Sequence, residues 1–159
     1  MEKVTILVDA QNVYYTTKQA YSCGFDYNSF WQRATSDREV IRAIAYSSER
    51  GDAKQKQFQN ILRAIGFEVK LKPYIQRTDG SSKCDWDVGI TIDALESAKD
   101  SNVVVLVSGD GDFDLLVEKL ENDFGVKTEV YGVPGLTAAS LIQATSKYVR
   151  IENGLLIRK

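Results

Sequence analysis

The stretch VVVLVSGDGDF, residues 103–113, decides the fold and indicates where function resides. Its first half, Val103–Val107, is apolar throughout, which is typical of a strand buried on both faces in a parallel sheet. The run VTILV at residues 4–8 has the same character and ends at Asp9, just as the later run ends close to Asp110. Ligands bind outside the carboxyl ends of the strands in open α/β sheets. We therefore expect these acids, distant in sequence, to converge at one edge of the sheet.

Strand-like and helix-like segments alternate along the rest of the chain. This alternation predicts an α/β fold of three layers (αβα), doubly wound, with a mainly parallel sheet and right-handed crossovers. The predicted strands cover residues 4–9, 40–46, 67–74, 103–107 and 126–131. The predicted helices cover residues 13–21, 29–34, 53–65, 85–98, 113–124 and 136–144. Residues 76–83 are predicted to form a polar loop, and residues 148–157 fit either a strand or a hairpin.

Periodicity also predicts which faces are buried. In the helix at 85–98, the helical spacing predicts a core-facing side made of Val88, Thr91, Ile92 and Leu95. The strand at 67–74 alternates apolar and charged residues, so one of its faces is expected to point to water.

Composition limits the chemistry that this chain can perform. Its 159 residues fit a single domain, and a net charge of -2 means that any nucleic-acid partner needs a local basic surface. The sequence has no histidine, which excludes serine–histidine and cysteine–histidine nucleophiles and leaves oxygen ligands for any metal. Oxygen ligands favour Mg²⁺, Mn²⁺ or Ca²⁺ over zinc or copper. Two cysteines without paired spacing, and no apolar run that suits a signal peptide or a membrane span, predict a cytoplasmic protein.

The acids after the two apolar runs have two interpretations. Each of Asp9, Asp110 and Asp112 suits the N-cap or first turn of a helix, a common structural role. A cap needs only one acid, however, and Asp110, Asp112 and Asp114 crowd together beside two glycines. Carboxylates at such short separations repel one another, and a bound divalent cation would relieve this repulsion. Asn12 either caps the first helix or orients Asp9 and touches a bound phosphate, and Asp114 is expected to point to solvent.

One further acid is expected from the helix that begins near residue 85. Asp87 competes there with Asp85 and Asp93, and helical geometry does not allow Asp87 and Asp93 to serve the same ion. We select Asp87 because it lies in the first turn, at the carboxyl edge of the sheet. At least one of these three acids is expected to lie on a solvated helix face. The glycines at 109 and 111 do not form a dinucleotide fingerprint, since no third glycine follows.

A basic segment between residues 54 and 83 offers a second kind of surface. Most charge runs are only solvated faces. The functional alternative is a basic surface that binds the phosphates of a nucleic acid while Tyr74 or Trp86 stacks on one of its bases. The cations of the segment are Lys54, Lys56, Arg63, Lys70, Lys72, Arg77 and Lys83.

Three phrases together resemble the NYN domain, in particular its LabA-like branch within the PIN-like nuclease superfamily. VDAQN at residues 8–12 resembles the opening D-x-x-N of the family, and SGDGDF at 108–113 matches its SGDxDF phrase closely. KCDWDV at 83–88, continuing to Asp93, is similar to its lysine and paired-aspartate segment, and Gly135 with Ser140-Leu141 fits the closing segment loosely. The chain departs from the family at Leu115, where proline is frequent, and in the spacing of the lysine.

The resemblance implies a Rossmann-like PIN fold and a ribonuclease that depends on Mg²⁺ or Mn²⁺. By matched position, Asp9, Asp87 and Asp110 would bind the metal, with Asn12 and Asp112 assisting.

Our first hypothesis is therefore a metal-dependent enzyme that hydrolyses RNA phosphodiester bonds. Asp112 joins the metal site, and Asn12, Ser108, Lys72, Arg77 and Lys83 are expected to contact the RNA. The alternative is a non-catalytic regulator that binds RNA or a protein on the same scaffold. A phosphatase-like or Toprim-like enzyme is disfavoured, because the first strand ends in an isolated aspartate rather than DxD or glutamate. A homodimer is a further expectation.

Overall fold

A computed structural model describes residues 1–73, 75–76, 82–83 and 85–157, with only the backbone of the two short pairs. The strands are β1 (Glu2–Asp9), β2 (Gly24–Phe25), β3 (Arg38–Glu49), β4 (Glu68–Pro73), β5 (Ile75–Gln76), β6 (Ser82–Lys83), β7 (Val103–Val107), β8 (Lys127–Gly132), β9 (Lys147–Arg150) and β10 (Leu156–Ile157). The α-helices are α1 (Ala10–Tyr21), α2 (Tyr27–Thr35), α3 (Ala53–Ile65), α4 (Asp87–Ala98), α5 (Asp114–Asn122) and α6 (Ala139–Ala144). Two 3₁₀ turns cover Gly111–Phe113 and Asn153–Leu155.

Six strands form one sheet in the order β4-β3-β1-β7-β8-β9, and every neighbouring pair is parallel. The order reverses between β1 and β7, which makes the gap between their carboxyl ends the topological switch point of the sheet. The register pairs Val4 with Val103 and Val8 with Val107, so these two strands end side by side. The predicted three-layer α/β fold is confirmed.

Alternate residues of the central strands enter two separate cores. Val4, Ile6 and Val8 pack on one face of the sheet with residues of α1, α2 and α3, while Leu7 packs on the other face with residues of α4, α5 and α6. Burial on both faces is the reason that residues 103–107 are apolar throughout and that residues 4–8 contain a single polar side chain, Thr5, whose hydroxyl is hydrogen-bonded to Ser101.

Several predicted boundaries are confirmed, and others shift. Residues 53–65 and 103–107 form α3 and β7 as predicted. Helix α1 begins at Ala10 rather than Val13, because the Asp9 carboxylate accepts a hydrogen bond from the Asn12 amide and caps the helix earlier. The C-terminal segment forms both a parallel sheet strand, β9, and a short strand, β10, that pairs antiparallel with β2.

The predicted core face of α4 is wrong at Val88 and Ile92, whereas Leu95 packs half-buried against the core as predicted. Val88 and Ile92 are 72% and 50% exposed, and the fully buried face consists instead of Ile90, Asp93, Ala94, Ser97 and Ala98. Small side chains let this helix approach the sheet closely, and the Asp93 charge is paired inside. The expectation of a solvated acid therefore does not apply to Asp93, which is 5% exposed.

No helix in the described part of the chain is both long enough and apolar enough to cross a membrane.

Candidate metal centre

The candidate site lies at the switch point, beside the carboxyl ends of the neighbouring strands β1 and β7. Asp9 is the last residue of β1, and the segment Ser108–Asp110 follows β7 directly. The Asn12 side chain joins the two, because its Oδ1 atom accepts a hydrogen bond of 3.0 Å from the Gly109 amide. Through this bond the Asn12 side chain holds the start of α1 against the turn that follows β7, in addition to the hydrogen bond that the Asn12 amide donates to Asp9.

The two glycines of SGDGDF allow a third segment to pack against this turn. A side chain on Gly109 would collide with the Leu136 carbonyl, and one on Gly111 would lie 2.8 Å from the Ala138 Cβ. The Gly109 carbonyl in turn accepts a hydrogen bond of 3.1 Å from the Ala138 amide. Glycine is required here for close approach of the backbone, which keeps the acid-bearing turn in a fixed place.

Asp110 and Asp112 sit on the 3₁₀ turn that leads into α5. The Asp110 Oδ1 atom accepts a hydrogen bond of 2.9 Å from the Asp112 amide, so Asp110 does cap this turn. Besides capping this turn, Asp110 belongs to a cluster of three carboxylates. One carboxylate oxygen from each of Asp87, Asp110 and Asp112 lies within 4.8 Å of the other two.

Asp87 reaches this cluster from the first turn of α4. Its pKa is raised to about 8 by burial first, then by hydrogen bonds with Asp85 and Asp110 and by the negative charges of both. Acids this close share protons when no cation separates them, because the repulsion between carboxylates favours the neutral form of one of them. The cluster is therefore an arrangement that a hard divalent cation would stabilise.

Asp9 lies beside this trio but is not one of its three members. Its Oδ1 atom is 3.4 Å from the Asn12 amide and its Oδ2 atom is 3.2 Å from the Ser108 Oγ, both of which donate. Burial first, and then the charges of Asp110 and Asp85, raise the pKa of Asp9 to about 6 against the effect of these two hydrogen bonds. The negative charge of the acidic cluster therefore affects the pKa of Asp9, while hydrogen bonds from the Asn12 amide and the Ser108 hydroxyl hold its carboxylate oxygens.

Two hydrogen bonds from side chains hold the segment before α4 in place. The Trp86 Nε1 atom donates to the Ser47 carbonyl at 2.9 Å, and the Lys72 Nζ atom donates to the Asp85 carbonyl at 2.8 Å. Lys72 also lies 4.4 Å from the centre of the Trp86 ring, a cation–π contact. These contacts fix the start of the helix that carries Asp87. They show that Lys72 and Trp86 have structural partners, and their predicted contacts with RNA remain predictions.

Other predicted substrate contacts cannot be placed in the same way. Arg77 and Tyr74 lie outside the described residues, as does the side chain of Lys83.

A cleft of about 580 Å³, which was not predicted from the sequence, opens between α1 and α3 and is lined by Ala10, the residue after Asp9. Tyr14, Tyr15, Lys18, Arg50 and Lys54 are among the residues that line it. The adjacent tyrosines could have signalled this surface, because two large aromatic side chains on consecutive helical positions cannot both face the core.

Comparisons with known proteins agree with this fold. The profile of the NYN domain family matches residues 3–152. The protein is 26% identical to the Low amplitude and bright protein LabA of Synechococcus elongatus over 161 residues, which cover 95% of this chain and 84% of LabA. It is also similar to a crystal structure of a protein of unknown function from Vibrio parahaemolyticus, with a TM-score of 0.93 and 56% identity over 98% of this chain and 96% of that one. The chain belongs to the NYN domain family, which lies in the PIN-like nuclease superfamily.

Proposed function

We propose that this protein is a metal-dependent ribonuclease that hydrolyses phosphodiester bonds of RNA. The observation that carries the proposal is the trio of Asp87, Asp110 and Asp112, whose carboxylate oxygens lie within 4.8 Å of one another at the switch point of the sheet. Membership of the NYN domain family supports a nucleic-acid substrate. A cytoplasmic location and a homodimer remain predictions that accompany this proposal.

The donor set fits Mg²⁺ or Mn²⁺. Three carboxylates supply hard oxygen ligands, and the raised pKa of Asp87 indicates negative charge that the described side chains do not compensate. Asp87, Asp110 and Asp112 would hold the ion, and Asp9 would add negative charge from the next position. A divalent ion bound there would activate water for attack and offset negative charge on the phosphate.

The remaining residues of the site act by orientation. Hydrogen bonds from Ser108 and Asn12 hold the Asp9 carboxylate beside the acids. The hydrogen bond from the Gly109 amide to the Asn12 side chain keeps the start of α1 at a fixed distance from the turn after β7. The proposed RNA contacts are Asn12, Ser108, Lys72, Arg77 and Lys83. With no histidine in the chain, proton transfer from water falls to carboxylates or to solvent.

Incubation of the purified protein with a labelled, unstructured RNA oligonucleotide tests the proposal. We expect cleavage with Mn²⁺ or Mg²⁺, none with EDTA, and a loss of about 100-fold or more in Asp110→Asn and Asp87→Asn, because each removes a charged ligand. Asp100→Asn is the matched control, since this exposed acid lies beyond the far end of α4. Cleavage that persists in Asp110→Asn would come from a contaminant and would overturn the proposal.

The same experiment separates the alternative of a non-catalytic regulator. That alternative expects RNA, or a protein, to bind with no change in the length of the RNA under any metal condition. Retention of full-length RNA with both metals, in a preparation that binds RNA, would replace hydrolysis with binding as the function.

A further inference from the structure

The cleft between α1 and α3 continues the carboxyl edge on which the acids lie. Ala10 and Gln11 line it immediately after Asp9, and Ser47 and Ser48 line it from the end of the neighbouring strand β3. One wall of the cleft is therefore the same turn that places Asp9. A chain molecule that crosses the acidic cluster along this edge meets the cleft next.

The cleft combines an apolar floor with an aromatic rim. Phe25 and Tyr27 are buried in the floor beside Phe58, and their rings are packed in edge-to-face contacts. Tyr14 and Tyr15 form the rim, and each remains 53% exposed. Two large exposed rings beside an apolar cavity leave flat surfaces on which a planar ligand can stack.

The charge of this cleft is opposite to that of the acidic cluster. Among the described residues, Lys18, Arg50 and Lys54 line the cleft together with one acid, Asp52. The Asp52 carboxylate accepts a hydrogen bond of 2.8 Å from the Gln55 amide and caps α3, so its charge is directed at the helix. The Arg50 Nη2 atom lies 3.5 Å from the Tyr15 hydroxyl, which places cation and aromatic ring side by side.

We infer that this cleft binds one unpaired nucleotide of the RNA strand, next to the phosphodiester that the acidic cluster would cleave. The inference rests on the proposed function, because it assigns the occupant of the surface beside that site. The base stacks on Tyr14 or Tyr15 above the apolar floor, and the flanking phosphates meet Lys18, Arg50 and Lys54. A volume of about 580 Å³ suits a ligand of this size. A base inside a duplex would have to unpair and unstack before it could enter, so the cleft favours single strands.

Fluorescence anisotropy with a short labelled single-stranded RNA in EDTA tests this inference, because no cleavage is expected without metal. We expect Tyr14→Ala and Tyr15→Ala, singly or together, to weaken binding by about 5-fold to 100-fold through lost stacking. Tyr14→Phe is the matched control, since it keeps the ring and should bind like the wild-type protein, whereas Tyr15→Phe also removes the hydroxyl beside Arg50.

The phosphate contacts have a separate readout. Arg50→Ala combined with Lys54→Ala should lower the slope of log Kd against log salt by roughly 1.4, because two fewer phosphate contacts release fewer counterions from the single strand. Lys99→Ala should leave the slope unchanged, since this exposed lysine follows the far end of α4.

The results that would overturn the inference differ from those that would overturn hydrolysis. Wild-type protein that binds no single-stranded RNA, alanine variants of both tyrosines that bind like the wild type, or equal affinity for a duplex of the same sequence would each remove the cleft as the nucleotide site. Tight binding of a free mononucleotide, with no gain from a longer strand, would make it a small-molecule site instead. Loss of binding in the tyrosine variants, in a protein that never cleaves RNA, would support the cleft and refute only the hydrolysis.

Discussion

Two aspartates on helix α4 have opposite surroundings. The Asp93 side chain is 7% exposed and lies among cations and donors: Lys70 at 2.8 Å, the Tyr46 hydroxyl at 2.7 Å and Arg42 at 3.5 Å. Asp87, at the first turn of the same helix, lies among the acids Asp85, Asp110 and Asp112. Residue type and helix are the same, so the neighbours from other elements make the difference.

The pKa values of these two acids move in opposite directions. Burial by itself raises the pKa of Asp93, but hydrogen bonds from Lys70 and Tyr46 and the charges of Lys70 and Arg42 outweigh it, so the pKa is lowered. Burial and neighbouring acids raise the pKa of Asp87 to about 8. An acid whose charge the protein compensates serves the structure, whereas a group of acids left uncompensated suits a cation.

The largest expected effect comes from breaking the compensated site. Asp93→Asn should lower the free energy of unfolding by about 2–4 kcal/mol, because it leaves the Lys70 ammonium without its buried partner. Glu96→Gln, an acid on the same helix whose side chain is 67% exposed, should change it by less than about 0.5 kcal/mol. Urea unfolding measures both. Equal effects of the two substitutions would mean that the burial of Asp93 does not contribute to the free energy of unfolding.

A smaller effect should appear when the uncompensated site receives a cation. Mn²⁺ at about ten times its Kd should raise the free energy of unfolding by about 1.4 kcal/mol, because it binds the folded state alone. Asp110→Asn should abolish this increment, whereas Asp93→Asn should retain it despite its lower starting stability. Thermal unfolding with and without Mn²⁺ measures the increment. An increment that survives in Asp110→Asn would place the ion elsewhere.

The smallest expected effect is a pH dependence with opposite signs at the two acids. Asp87 holds its proton more tightly in the folded state, so the metal-free protein should lose stability as the pH rises from about 4 to about 8. We expect a loss of about 1 kcal/mol, since solvent screens a partly exposed group. Asp87→Asn should weaken the dependence above about pH 6, whereas the raised pKa of Asp9 maintains a loss of stability between about pH 4 and pH 6. Urea unfolding in EDTA measures the slope, and an unchanged slope above about pH 6 would contradict the raised pKa of Asp87.

Asp93 provides the opposite sign in the same titration. Because its pKa is lowered in the folded state, its contribution is fully present above the ordinary value of 3.8 and is lost as the pH falls through the lowered value. The Asp93→Asn variant should therefore show a weaker loss of stability in acid than the wild-type protein.

Much of the site could be predicted because strand ends are easy to recognise. Val103–Val107 is apolar and short, it is followed at once by acids and glycines, and the fold brings Asp110 beside Asp112 and Asp87. The position of Asp9 was harder to predict. Its carboxylate is held by Ser108 and by the Asn12 amide, and hydrogen bonds between loops leave no periodic pattern in a sequence.

The buried face of α4 shows the opposite limit. Hydropathy favoured Val88 and Ile92 as core residues, yet the helix packs through Ala94 and Ala98 and buries a charge. The cations that neutralise Asp93 come from β3 and β4, far from it in sequence, and neither their distance nor their direction can be read from helical spacing.

The sequence by itself determined the doubly wound parallel sheet and the edge at which its acids gather, because apolar runs and chain alternation are local properties that dictate burial and strand direction. Only the tertiary structure decided which acids remain uncompensated, and that an aromatic, basic cleft opens beside Asp9. Charge compensation and concave surfaces depend on contacts between elements distant in the chain. Asp87 and Asp93 therefore differ in environment although their helix and residue type are shared.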